Sequence, residues 1–379
     1  MTAGPTRSRL RWLAPLMAMM LVAAACGDDD EDEATTSDTA GEATGEEPVK
    51  VAFVYVGPTG DAGWTKRHDD GRKQLEEELG DAVETTFLEN VEEGATSEQV
   101  FDRLAREGNK VIFGTSFGYG DQMLAVAERY PDVVFEHATG YQVAENMGTY
   151  FGAAEEARYL SGMAAGSKTE TGQIGYVAAF PIPEVLRGIN AFTLGAQRVN
   201  PDVTVNVVWT STWFDPVVEK EAAESALNGG ADVLAQHQDT PAAGEAAQAA
   251  GGFWVGYNDD MSSFAPDAWL TAPTWDWGPF YVDTVQSVID GTWESDQYYG
   301  DMADGLVDLA DVSDAVPEDV RAEIEEVKAE IVDGSFAPFT GPVTDQDGEE
   351  RIADGEVPPL PDLLSMDWFV EGVVGSPTG

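Results

Sequence analysis

Continuous apolar runs alternate with amphipathic stretches along most of this chain. Val51-Ala-Phe-Val-Tyr-Val56 is apolar at every position and is closed by Gly57-Pro58, which predicts a strand buried on both faces. The stretch from Trp64 to Leu79 reads as a helix, Val83 to Leu88 as a strand and Ser97 to Glu107 as a helix. Val111 to Phe113, Asp121 to Tyr130 and Val133 to Phe135 continue the alternation as strand, helix and strand. A second series follows. Ala153 to Ser167 reads as a helix, Gln173 to Val177 as a strand, and Pro183 to Arg198 as a helix. Strands are predicted at Val203 to Trp209, Val233 to Gln236, Phe253 to Val255 and Trp269 to Ala272, with helices at Pro216 to Asn228 and Pro241 to Ala250. Further helices are predicted at Pro279 to Asp290 and Pro317 to Val332. Parallel strands joined by helical crossovers give an α/β class with two similar parallel-sheet lobes.

The first fifty residues differ from the rest. Arg7, Arg9 and Arg11 precede a 14-residue apolar run, Trp12 to Ala25, which ends at Cys26. A basic start, a short apolar run and small residues before a cut site make a secretory signal over 1–26. The run contains Pro15 and is shorter than the roughly 20 residues a spanning helix needs. Cys26, the single cysteine, stands after Val22-Ala-Ala-Ala25 as in a bacterial lipobox, with Ala23 where Leu is usual, so lipidation at Cys26 is expected. Residues 27–48 hold ten acidic and no basic residues, the composition of a disordered tether. A lipid-anchored protein on the outer face of a bacterial membrane is the expectation.

Charge then removes whole classes of function. Asp and Glu number 70 against 20 Lys and Arg, a formal net charge of −50. That field repels nucleic-acid backbones and anionic lipid headgroups. One cysteine and three histidines leave no disulfide framework and almost no zinc ligands. His137 and His237 follow strands in different lobes and lack a third good ligand, so no metal and no cofactor is expected. His68 lies in the charged run Lys66-Arg-His-Asp-Asp70 and is expected to be solvated. No nucleophile elbow, phosphate loop or dinucleotide fingerprint is present, so an enzyme is not expected.

In open α/β sheets a ligand sits beyond the carboxyl ends of the strands. Those ends carry Gly63-Trp-Thr65, Thr115-Ser-Phe-Gly-Tyr119 and Phe135-Glu-His-Ala-Thr-Gly-Tyr141 in the first series. The second series carries Phe180-Pro-Ile-Pro-Glu184, Gly188-Ile-Asn-Ala-Phe192 and Trp213-Phe-Asp-Pro216, and Trp277-Gly-Pro-Phe-Tyr281 follows. With these motifs residues 49–372 resemble the BMP family of ABC-transporter substrate-binding proteins, the purine-nucleoside-receptor type, and within it the branch associated with purine nucleobases. The resemblance implies a type I periplasmic-binding-protein fold, two Rossmann-like lobes joined by a hinge, and a purine held between them. It also implies ABC permease and ATPase partners. Where nucleoside-binding members have acidic groups and a Lys for the ribose, this chain has Val56 or Gly57, His137 and Trp275. An adenine-like base is therefore expected, with a purine nucleoside as the alternative ligand and a sensory lipoprotein as the alternative role.

The expected lobes are 49–150 with about 276–305, and 151–275 with about 306–345. Residues 346–379 are expected to return across the hinge, and the protein to be a monomer. A flat heterocycle needs aromatic faces and a few directional groups at its edge. Trp64, Phe117, Phe180, Trp213 and Phe214 are the candidate stacking rings, and Gly118 lets backbone approach the ligand. His137, Asp215, Asp239, Asn258 and Asp276 are the candidate edge contacts. Asp215 and Asp239 also stand where helix caps would, and Asp276 where a hinge hydrogen bond would.

Overall fold

The computed structural model describes residues 47–379. The signal, Cys26 and nearly all of the acidic tether lie outside the described residues. The apolar runs form two six-stranded sheets, each parallel throughout. The first contains β1 (Val49–Val54), β2 (Val83–Leu88), β3 (Val111–Gly114), β4 (Val134–Ala138) and β5 (Met147–Gly152). Its remaining strand is β12 (Gln297–Gly300), and the order is β12-β5-β4-β3-β1-β2. The second contains β6 (Gln173–Ala178), β7 (Thr204–Trp209), β8 (Val233–His237), β9 (Phe253–Val255), β10 (Trp269–Thr271) and β16 (Val373–Val374). Its order is β10-β9-β8-β6-β7-β16, and β14 (Val343–Thr344) and β15 (Glu350–Ile352) form a separate two-stranded ribbon. Strands β3, β6 and β8 at the sheet centres are buried on both faces, as continuous apolar runs require.

Helices α1 (Trp64–Leu79), α2 (Ala95–Arg106), α3 (Gly120–Ala127) and α8 (Gly278–Ile289) belong with the first sheet. Helices α4 (Ala154–Lys168), α5 (Pro183–Val199), α6 (Pro216–Asn228), α7 (Ala242–Ala250) and α9 (Glu318–Val332) belong with the second. This is the two-lobed type I solute-binding architecture.

The chain passes between lobes three times: from β5 into α4, from β11 (Pro273–Trp275) into α8, and from β12 into β13 (Val307–Leu309). Strands β11 and β13 pair antiparallel, and Ala153 N donates to Gly300 O at 2.8 Å, so the crossings are tied together. Residues 346–379 do not recross. Asn190 of α5 donates to Trp368 O at 2.8 Å and accepts from Val370 N at 3.0 Å, and β16 then pairs with β7. The tail covers a sheet edge that would otherwise expose unpaired backbone groups.

His68 is also placed differently from its local sequence: it is fully buried. Trp64, His68, Arg72 and Leu75 share one face of α1, and that face packs against α8. The His68 ring stacks on Trp277 at 4.7 Å, and its Nδ1 meets Tyr281 Oη at 2.5 Å. Burial holds its pKa well below the ordinary histidine value, so it is neutral at pH 7.

Candidate functional site

A cleft between the lobes is lined by Val56, Trp64, Ser116, Phe117 and Thr139 on one side. Glu184, Trp213, His237, Asp239 and Tyr257 line the other. It holds about 340 Å³ of atom-free space, its mouth included. Nearly all these residues stand at or just beyond the carboxyl ends of parallel strands, where side chains from successive crossovers converge.

The first lobe presents Trp64 through a capped helix start. Asp61 accepts from Gly63 N at 2.9 Å, Thr65 N at 2.7 Å and Lys66 N at 3.0 Å, which fixes the first turn of α1. Trp64 Nε1 donates to Thr115 O at 2.7 Å, so the indole is held in the plane its hydrogen bond dictates. A Cβ at residue 63 would lie 3.2 Å from Asp239 O and 3.3 Å from Asn258 Nδ2. Glycine at 63 thus lets the two lobes approach closely beside the cleft.

Phe117 is carried on a loop pinned from two sides. Glu93 Oε1 accepts from Ser116 Oγ at 2.6 Å and from Gly118 N at 3.0 Å. His137 Nε2 donates to Ser116 O at 2.7 Å. Burial pushes the His137 pKa down to about 4, so the ring is neutral and acts as a support one layer behind the cleft. Gly118 also stands back: a Cβ there would come 2.3 Å from Glu93 Cδ, so its glycine makes room for the pinning carboxylate.

On the second lobe the polar groups cluster around Asp239, which is 5% exposed. Asn258 Nδ2 donates to Asp239 Oδ1 at 3.2 Å, and Trp275 Nε1 donates to Asn258 Oδ1 at 2.9 Å. Asp239 Oδ2 has no protein donor among the described residues. Burial, then the charges of Asp61, Glu219 and Glu184, push the Asp239 carboxyl well above the ordinary range. His237 Nε2 lies 3.3 Å from Glu184 Oε1. Burial outweighs that partner and lowers the His237 pKa, helped by the charges of Arg158 and Arg187. Arg158 is fully buried beneath Tyr257, its guanidinium 3.7 Å from the ring centroid, and Nη1 donates to Gln236 O at 2.8 Å.

Of the sequence candidates, Trp64, Phe117, Trp213 and Asp239 line the cleft together, and Asn258 sits directly behind Asp239. Phe180 packs on Trp213, 4.9 Å between ring centroids, and buttresses it. Phe214 is half-buried and does not line the cleft. Asp215 caps α6, accepting from Val217 N at 3.0 Å and Val218 N at 3.1 Å. Asp276 is exposed and accepts from Gly278 N at 3.3 Å at the start of α8. Local sequence did not single out Glu184 or Tyr257 as ligand contacts. Each nonetheless follows a strand end, which is the signal that would have found them.

Two parallel-sheet lobes, three crossings and an aromatic cleft between them define a solute-binding protein of the periplasmic type. Residues 48–337 match the model of the Bmp family, described as ABC transporter substrate-binding protein, PnrA-like. The chain belongs to this family, whose members are extracytoplasmic solute receptors of ABC importers and not enzymes. It is 48% identical over 333 residues to a purine-binding protein of Brucella abortus, covering 88% of this chain and 95% of that one. It is 43% identical to a putative ABC transporter glucose-binding protein of Haloferax volcanii, covering 90% of this chain and 84% of that one. Among solved structures, a solute-binding protein of an ABC transporter from Aeropyrum pernix shares the fold. The TM-score is 0.68 at 21% identity, over 76% of this chain and 93% of that one.

Proposed function

We propose that this receptor binds a purine base in the cleft and delivers it to an ABC permease and ATPase. The observation that carries the reading is the composition of the cleft. Aromatic faces come from both lobes, Trp64 and Phe117 from the first and Trp213 and Tyr257 from the second, around a buried carboxyl with a free oxygen at Asp239. Stacking is worth about 0.5–1.5 kcal/mol beyond area burial. A buried carboxyl whose charged form is disfavoured by its surroundings can donate as well as accept, which matches the adjacent ring nitrogen and exocyclic amine of an aminopurine. The 48% identical relative is itself a purine-binding protein, which supports the same ligand class.

A ligand touching both lobes favours the closed arrangement by the contacts it makes only there, and the closed form is what the permease recognises. Anchoring through a lipid on Cys26 keeps the receptor at the outer membrane face, and the acidic tether gives it reach.

The test is a thermal-shift and calorimetry panel with adenine, guanine, hypoxanthine, xanthine, uracil, the matching nucleosides and glucose. A ligand at 100 times its dissociation constant adds about 2.7 kcal/mol of stability. A rise with free purines supports the reading. A rise with nucleosides alone reassigns the ligand within the purine class. A rise with glucose alone, the sugar in the name of the haloarchaeal relative, overturns the purine assignment.

A further inference from the structure

A separate groove lies on the first lobe and shares no lining residue with the cleft. It holds about 1110 Å³ of atom-free space, its mouth included, between α8, the segment that follows it, and β4 and β5. Its walls are aromatic: Phe280, Trp293 and Tyr298 line it, and Phe280 stacks on Tyr298 with centroids 4.8 Å apart. Its rim is acidic, with Asp283, Glu294, Asp296 and Asp304.

One carboxyl reaches the groove from inside the sheet. Glu136 is on β4, is 5% exposed, and faces Gly148 of β5 in register. A Cβ at residue 148 would come 2.7 Å from Glu136 Oε2, so the glycine leaves the space the carboxyl occupies. Glu136 Oε1 accepts from Trp293 Nε1 at 2.9 Å. Oε2 has no donor among the described residues, and no Lys, Arg or His there lies within 4 Å of Glu136 or of the four rim carboxylates. Burial, reinforced by Asp296, pushes the Glu136 carboxyl up to about 8, the state of a buried acid that lacks a cation. Carboxylates that are buried in proteins are ordinarily paired or ligated.

The spacing of these groups decides what kind of cation fits. Among the described residues no three acidic or metal-ligating side chains are gathered closely enough to hold a metal ion. Negative charge is instead spread along a groove walled by aromatic faces, which attract ammonium groups and pack against methylene chains. We propose that this groove binds an organic polyammonium cation. One ammonium lies at Glu136 beside Trp293 and Phe280, and the others lie along Asp283, Glu294, Asp296 and Asp304. One free carboxyl oxygen at the inner end, Glu136 Oε2, and separated carboxylates toward the mouth favour a chain with several amines over a single ammonium ion.

The experiment is calorimetric titration of the full chain with spermidine in 0.15 M NaCl, with putrescine and Mg²⁺ as comparison titrants. One saturable spermidine site is expected, with Mg²⁺ failing to displace it at equal concentration. Glu136→Gln weakens that site at least tenfold, whereas Glu84→Gln, which removes one exposed charge on β2, leaves it unchanged. Should Glu136→Gln lower the melt too far for titration, the double rim change Asp283→Asn with Asp296→Asn is expected to weaken spermidine at least fivefold without altering the melt. Absence of a saturable site overturns the proposal. So does equal weakening by Glu136→Gln and Glu84→Gln, which is diffuse attraction to a chain of charge −50. Stoichiometric displacement by Mg²⁺ overturns it as well and makes the groove a metal site.

Discussion

Trp275 sets the orientation of Asn258. An indole N–H can only donate, so the bond of 2.9 Å from Trp275 Nε1 forces the Asn258 carbonyl oxygen toward it. The amide nitrogen then faces Asp239 Oδ1 at 3.2 Å, and Asp239 is left with one oxygen for the cleft. Trp275 lies on β11 at the hinge, so a hinge residue and a cleft residue are joined by a single amide.

Asn258→Asp keeps the acceptor for Trp275 but removes the donor to Asp239 and sets a second carboxyl against it. Two acids in contact repel or share a proton. Binding of the cleft ligand is expected to fall at least tenfold and to become steeper in pH, measured by calorimetry between pH 5 and 8. Unchanged affinity would mean that Asp239 does not touch the ligand.

Trp64 has two duties that separate by substitution. It lines the cleft, and it also meets His68, Trp275 and Trp277 edge-on at 4.3, 6.2 and 5.8 Å. Trp64→Ala therefore lowers the melt as well as the affinity, because truncating a buried tryptophan costs about 3–5 kcal/mol. Trp64→Phe keeps a stacking face and loses the bond to Thr115 O. It is expected to weaken ligand binding about fivefold with a smaller change in melting temperature. Equal loss of affinity and of stability in both variants would leave Trp64 a packing residue only.

The pH dependence of stability has a defined window. The pKa of His137, lowered to about 4, and those of His68 and His237, also lowered, favour folding as pH rises toward the unfolded histidine value of about 6.5. Glu136, raised to about 8, and Glu156, raised to about 7, act oppositely. Their protons bind the folded state more tightly, so their contribution is full below the ordinary carboxyl pKa and is lost as pH rises through the folded value. Between pH 6.5 and 8 only the carboxyls still act, and stability falls with Glu136 contributing about 1–2 kcal/mol. Chemical denaturation at these two pH values, with and without Glu136→Gln, measures it. A slope that the variant leaves intact would assign the effect elsewhere.

Salt is expected to stabilise the protein. The formal charge of −50 is self-repulsive, and raising salt from 0.1 to 1 M shortens the screening length from about 10 to about 3 Å. Inter-lobe ion pairs such as Lys66–Asp259, 2.7 Å apart and partly exposed, lose little by comparison. The melting temperature should rise by several degrees between 0.1 and 1 M KCl. A fall would show that the specific pairs outweigh the general repulsion.

The class of fold is legible in the alternation of apolar runs and amphipathic stretches. Every inner strand of both sheets except β5 was legible, because a strand between two neighbours and under helices is predominantly apolar. The helix starts at Trp64, Pro183 and Pro216 were legible from loop and proline positions. Strands β5 and β12 were not. Gln297-Tyr-Tyr-Gly300 is a short polar-aromatic run whose strand character comes from pairing with residues 149–152, far away in the chain. The cleft was legible in part, since strand ends point to it, and Trp64, Phe117, Trp213 and Asp239 do line it. Asp215, Asp239 and Asp276 all stand just beyond strand ends near aromatic or proline residues, and local sequence offers each as a ligand contact. Packing separates them: Asp215 and Asp276 satisfy backbone N–H groups at helix starts, and Asp239 faces the cleft. His68 makes the same point. Its neighbours in sequence are charged, yet its helix face packs on α8, and burial is a property of what lies opposite, which no local pattern contains.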